Sequence, residues 1–326
     1  AIGVWGFASG FTSAPLEGLL QKSFESSSRA QLFVGRAFWG VIAAVVSGVV
    51  VRSVFQSDGL APQRAFSYLF IAAAGVLASS AFFPLLIEEP IRRFSTARHG
   101  RTSAPFKALG NSAMRRYLLF RIALAAAAML DVFVIVYALR TFAFDRSFLG
   151  ISVIAFCAAL AAGLPLARAL AMRRGGRAVL QGAVWLRLIA PILLLMIPYL
   201  RDRIADHTSG DRFFLWLIAV CFAALGASFA FQGTGNFQYL DEVAPAIERA
   251  AYAETTNFVL MLSTLFPLLG AWILTRWDDQ HLFGIGGAMA LLAVFLSGIL
   301  IDNRIAASKP VATMRPGRAS MRQLRR

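Results

Sequence analysis

Nine apolar runs separated by short polar connections fill almost the whole of this 326-residue chain. They lie at roughly 1–19, 32–52, 66–87, 117–139, 147–167, 179–200, 213–235, 252–275 and 282–301. About 20 mostly apolar residues let a helix cross a hydrocarbon core ~30 Å thick. Inside that core every backbone N–H and C=O must be satisfied within the protein, so only helices or closed barrels span it. These runs are continuous rather than alternating in hydropathy, which selects helices. The expected fold is an all-α polytopic membrane protein with about nine transmembrane helices. The first run is the shortest of them, is rich in glycine and carries Glu17.

The basic residues orient this stack. Of the 32 Lys and Arg, 21 fall in the connections 20–31, 88–116, 168–178 and 236–251 and in the tail after 301. Eight fall in the alternate connections, and three (Arg36, Arg121 and Arg187) lie within spans. Cytoplasmic loops carry the excess of Lys and Arg, so the first set is expected inside, with a cytoplasmic C-terminus. An inner (cell) membrane of bacterial type is the expected location.

The same distribution removes other classes. A net charge of +15 would suit nucleic acid, but the charges sit in short loops and the tail of a chain that is 58% hydrophobic, so topology accounts for them. Cys157 and Cys221 lie in apolar runs, and His99, His207 and His281 fall in three different loops, so neither a disulfide framework nor a metal cluster is expected. No Walker-type sequence occurs, which argues against an ATP-driven pump. No paired carboxylates, His cluster or Ser-His arrangement lies at membrane depth, so no enzyme and no cofactor is expected.

The longest connection, 88–116, contains Pro90, Pro105 and seven basic residues, and reads as a flexible linker. It divides the chain into a partial helical bundle (1–87), the linker, a six-helix bundle (117–301) and a basic tail (302–326). Shifting the chain by 220 residues superposes the first three spans on the last three, pairing Arg29-Ala30 with Arg249-Ala250 and Phe38 with Phe258. Two six-helix halves, the first lacking its opening three helices, are the simplest account. The chain opens on Ala1 directly before an apolar run, which reads as a start inside a larger protein.

Several stretches resemble the major facilitator superfamily. Residues 237–252 (Phe-Gln-Tyr-Leu-Asp-Glu-Val-Ala-Pro-Ala-Ile-Glu-Arg-Ala-Ala-Tyr), followed by Thr256-Asn257-Phe258 and then Pro267-Leu-Leu-Gly-Ala-Trp272, are similar to the helix 10–loop–helix 11 region of its bacterial members. Arg168 through Arg173-Arg174-Gly175-Gly176-Arg177 to Leu180 looks like its basic helix 8–9 loop, and Ile87-Glu88-Glu89-Pro90 like the end of helix 6. On that mapping the spans are helices 4 to 12 of a two-bundle fold. The resemblance implies a secondary active transporter that moves a small solute by alternating access, driven by a proton or solute gradient. It also implies a monomer when full-length, with membrane lipid and a small-molecule substrate as partners. A non-transporting membrane protein of the same fold, an assembly factor or sensor, is the alternative. Without the three opening helices, the isolated chain is expected not to transport.

Few residues within the spans can carry chemistry. Asp131 lies 14 residues into its span, roughly 21 Å at ~1.5 Å per residue, flanked by lipid-compatible residues. A carboxylate there costs about 2.5–3.5 kcal/mol on insertion scales, so it needs a partner, an aqueous cavity or a proton. It is the candidate for ion coupling or cation binding; by the resemblance its helix is the seventh and lines the central cavity. Arg187, eight residues into its span, can pair with an acid, meet an anionic substrate or snorkel to the near interface. Snorkelling is also the simple expectation for Arg121 and Arg36, and Arg36 can further pair with Glu17 to brace the inner gate. Gln232, Asn236 and Asn257 are candidates for substrate contact or interhelical hydrogen bonds. Gly226, Gly233 and Gly235 would allow close helix approach or bending.

Overall fold

The computed structural model describes residues 26–56, 62–82, 105–142, 144, 148–204, 210–245 and 248–301. Every regular element among them is helical. The α-helices are α1 (Ser26–Gln56), α2 (Pro62–Phe82), α3 (Ser112–Ala127), α4 (Asp131–Phe142), α5 (Phe148–Ile204), α6 (Gly210–Val243), α7 (Arg249–Met261), α8 (Phe266–Arg276) and α9 (Asp279–Gly298). Tight 3-10 turns at Ala128–Leu130 and Leu262–Leu265 join α3 to α4 and α7 to α8, and a third at Pro105–Gly110 precedes α3.

Six segments of the described residues are long and apolar enough to cross a membrane: Trp39–Gln56, Ser112–Phe142, Phe148–Arg203, Arg212–Val243, Ala251–Arg276 and Asp279–Gly298. Together they make this an all-helical integral membrane protein. The first apolar run, with Glu17, lies outside the described residues, as do 83–87 at the end of the third run, 88–104 of the linker and the tail from 302.

One segment is far longer than a bilayer is thick. Phe148–Arg203 has 56 residues, which would reach ~84 Å as a straight helix. Its interior contains Gly175 at φ 82, ψ 176, a conformation that only glycine adopts without strain. The contacts on either side show what this residue does. Before it, Phe156 meets Gly226 of α6, and Gly163 meets Ala227 and Ala230, in parallel order. After it the order reverses: Gly176 meets Tyr239, Leu180 meets Gly235 and Gly182 meets Phe231. The two arms of α5 therefore run antiparallel and share α6. A Cβ on Gly176 would lie 2.5 Å from the Tyr239 nitrogen, so the second glycine of the pair answers to packing rather than to backbone angle. The Gly176 N–H donates to the Glu242 carboxylate at 3.1 Å, pinning the turn to the end of α6.

Helix ends differ from the apolar runs in a consistent way. The run at 117 becomes a helix from Ser112, with the Asn111 side chain capping it by accepting from the Ala113 N–H. The run ending at 235 becomes a helix to Val243. Both extensions are polar sequence carried past the apolar stretch, because a helix does not stop where hydrocarbon gives way to headgroups. The 252–275 run is broken in the opposite sense. Pro267 enters α8 at its first turn, and lacking an N–H it cannot bond back into α7. The chain tightens before it, and Ser263 and Thr264 donate their hydroxyls to the Leu260 and Met261 carbonyls. His281, expected in a loop, sits in the first turn of α9, where Asp278 caps the helix by accepting from its backbone N–H. The hydrogen bond from the His281 ring is the main cause that holds the Asp278 carboxyl below its ordinary value.

Buried side chains form two main layers. At the end that holds the Gly175 turn, Met114, Tyr117, Phe120, Leu180, Tyr239 and Tyr252 form one cluster. At the opposite end Leu130, Val134, Phe148, Leu194, Phe214 and Phe283 form the other. That second layer closes with aromatic rings: Phe142 stacks on Phe214 at 4.7 Å between centroids and on Phe144 at 5.2 Å, and Tyr137 meets Phe283 edge-on at 5.1 Å. Between the layers lies a small cluster of Ala127, Leu188 and Ala290. On the flank, α1 crosses the first arm of α5 where Gly48 meets Gly150 and Ile154.

Candidate functional site

The site follows from two helices that each carry one charge at middle depth. The α3–α4 rod is continuous except for the 3-10 turn Ala128–Leu130, and that turn puts Asp131 at the start of α4. Arg187 is carried by the second arm of α5, which the Gly175 reversal sets antiparallel to the first. Together they form an ion pair in which Arg187 Nη2 lies 2.5 Å from both Asp131 oxygens.

The surroundings make the pair unusual. Its neighbours along the chain are apolar: Leu130 belongs to the aromatic-closed layer and Leu188 to the small middle cluster. Arg187 is 1% exposed, and its guanidinium lies over the Phe229 ring of α6 at 5.5 Å. Two of its nitrogens, Nε and Nη1, are buried without a hydrogen-bond partner. The Asp131 side chain is 22% exposed against 2% for Arg187. The carboxylate is thus the less buried partner of the pair, and the guanidinium is sealed behind it. Chemically the pair can hold a proton, a cation or a polar solute group on the Asp131 side, while Arg187 keeps the carboxylate charge compensated.

Snorkelling, one of the sequence expectations for Arg187, does not occur. The chain folds so that an acid reaches it, and pairing at depth replaces escape to the interface. Asp131 was singled out from the sequence, and Arg187 separately; the structure joins them. Phe229 was missed, since a phenylalanine among apolar residues gives no signal of a cation above its face. The pair itself left no such signal: Asp131 is the one acid deep within a described span, but depths of 14 and eight residues from the same side did not set the two side chains level.

The other candidates are placed as follows. Gln232 Nε2 donates to Ser228 Oγ at 3.0 Å, and that hydroxyl donates to the Ala183 carbonyl at 2.8 Å, tying α6 to the second arm of α5. Asn236 Oδ1 accepts from the Tyr117 hydroxyl at 3.3 Å, tying α6 to α3. Asn257 is half-buried on α7 and takes no part in these contacts. Arg121 lies 5.9 Å from the ring of Tyr117, one turn back on its own helix. Glu17 and the side chain of Arg36 lie outside the described residues, and so does their pairing. Gly226 and Gly235 sit at close helix approaches, against Phe156 and Leu180, whereas Gly233 faces open space.

Compared with known proteins, the chain matches no protein-family model and no curated sequence.

Proposed function

We propose that this protein is a secondary active transporter of the major facilitator type, in which two helical bundles alternate access to a central site and Asp131 carries the coupled proton or a cationic solute. The observation that carries this reading is the Asp131–Arg187 pair, a less buried carboxylate held against a fully buried guanidinium between two apolar layers. Ionisable groups at membrane depth are costly and mark ion or substrate pathways. The basic residues at the Gly175 end support a cytoplasmic inner face, and the absence of a nucleotide motif supports a gradient as the driving force.

The mechanism that follows is simple. With Asp131 ionised, the pair is neutral overall and stays closed in its apolar surroundings. A proton or cationic group arriving at the carboxylate competes with Arg187 for it. Loss of that attraction loosens the tie between α4 and the second arm of α5, and this is the event that couples occupancy to rearrangement. The two unpartnered nitrogens of Arg187 give the freed guanidinium donors for a polar solute group.

A second reading is favoured by a specific observation. Gln232, Ser228, Asn236 and Tyr117 all bond within the bundle, as braces do. In a non-transporting assembly factor or sensor of the same fold, the Asp131–Arg187 pair would be one more brace. Uptake by the full-length protein in proteoliposomes, with Asp131→Asn beside wild type, separates the two. A transporter coupled at Asp131 loses pH-dependent uptake in the variant. Unchanged rate and pH dependence would remove the coupling role, and no flux for any solute in either protein would favour the brace.

A further inference from the structure

The Gly175 end of the bundle gathers positive charge at one point. Arg116 of α3 donates from Nη1 to the Ile299 carbonyl at 3.2 Å, and Arg177 of α5 donates from Nη2 to the Gly298 carbonyl at 2.7 Å. Gln181 adds a bond of 3.4 Å to the Ser297 carbonyl. Three successive carbonyls at the end of α9 are thus satisfied by side chains from two other helices. A helix C-terminus favours cations there, but a partial negative charge of about half a unit does not balance two guanidiniums. Arg115, Arg173 and Arg174 stand exposed nearby in the sequence. Two described carboxylates near this end have partners of their own: Asp241 pairs with Arg249 at 3.2 Å, and Glu242 accepts from the Gly176 N–H and from Gln238.

Each of the two arginines spends one N–H on α9, so several donors of each fork remain. The Nε of Arg177 is buried without a hydrogen-bond partner. Paired guanidinium forks match the tetrahedral oxygens of a phosphate. The apolar surface on α3 and α9 points to the source of that phosphate. One turn from Arg115, Leu119 is 56% exposed; one turn before Gly298, Phe295 is 68% exposed, with Leu292 and Leu291 behind it. Leu292 and Leu291 lie one turn further along α9 from the cations, so apolar surface for hydrocarbon continues along that helix.

From this geometry we infer a binding site for an anionic phospholipid, with the headgroup phosphate on Arg116 and Arg177 and an acyl chain along Phe295 and Leu292. The bound lipid would set one full negative charge against the two cations, beside the partial charge of the α9 end, and fasten the ends of α3, α5 and α9 at the headgroup layer. The site stands apart from the Asp131–Arg187 pair and does not rest on the transport reading.

The test is native mass spectrometry of the full-length protein released from detergent, with phosphatidylglycerol, phosphatidylcholine and inorganic phosphate as separate probes. Wild type should retain phosphatidylglycerol over phosphatidylcholine, and inorganic phosphate should not displace it. The Arg116→Gln/Arg177→Gln variant should lose roughly thirtyfold in phosphatidylglycerol affinity, about fivefold for each charge removed at the surface. Should the double variant fail to assemble, the single variants decide, each with its own fivefold loss. Equal retention of the two lipids, or undiminished phosphatidylglycerol binding in the variants, would overturn the site. Displacement by inorganic phosphate would overturn the lipid as its occupant.

Discussion

Asp131 and Arg187 illustrate how a membrane core treats charge one residue at a time. Removing one partner of a buried pair leaves the other uncompensated and costs about 3–5 kcal/mol, whereas replacing both with apolar groups of similar size is often neutral or better. Asp131→Leu and Arg187→Met are therefore each expected to destabilise by that amount. Asp131→Leu/Arg187→Met should recover most of the loss. Unfolding in mixed micelles monitored by circular dichroism measures all four proteins in one cycle. Equal, additive losses would mean that the two side chains do not depend on each other. Of this site, the residue types were legible in the sequence because a charge among apolar residues is conspicuous. Their union was not, because 56 residues separate them and the distance closes only when α5 reverses.

At the scale of elements, the glycines at 175 and 176 act for different reasons. Gly175 supplies a backbone angle closed to other residues, and Gly176 makes room for the Tyr239 backbone. Alanine at either position is expected to cost about 1–3 kcal/mol, the usual range for forced backbone strain or overpacking. Gly233 provides the control. It faces open space within α6, where alanine should be neutral or stabilise by up to about 1 kcal/mol through helix propensity. Thermal unfolding of the three variants checks the order, and a Gly175→Ala protein as stable as Gly233→Ala would contradict the reversal. The sequence reading placed separate spans at 147–167 and 179–200 with a basic loop between. The structure makes the connection a turn of two glycines with helix on both sides, since residues 168–174, Arg-Ala-Leu-Ala-Met-Arg-Arg, are all good helix formers and let the helix continue.

At the scale of the whole molecule, the testable property is sidedness. With the Gly175 turn on the cytoplasmic side, Arg174→Cys should be shielded from an impermeant maleimide in intact cells. Arg203→Cys and Arg276→Cys should be labelled. The background would carry replacements of Cys157 and Cys221, both buried. The reverse pattern would invert the topology. The outer surface of the described bundle agrees with a lipid environment: α2 exposes Phe66, Phe70, Ile71 and Val76, and α9 exposes Phe295.

The sequence by itself determined the solvent, the class of secondary structure and the expected orientation. Each of those depends on runs of about 20 residues and on charge counts, which are local quantities. It also marked the residues whose burial would be expensive. Only the tertiary structure decided which of those expensive residues meet, where α5 turns back, and that two arginines 61 positions apart converge on one helix end. Those outcomes depend on side chains from distant parts of the chain competing for the same space, and no local pattern in a nearly uniform apolar sequence records the result of that competition.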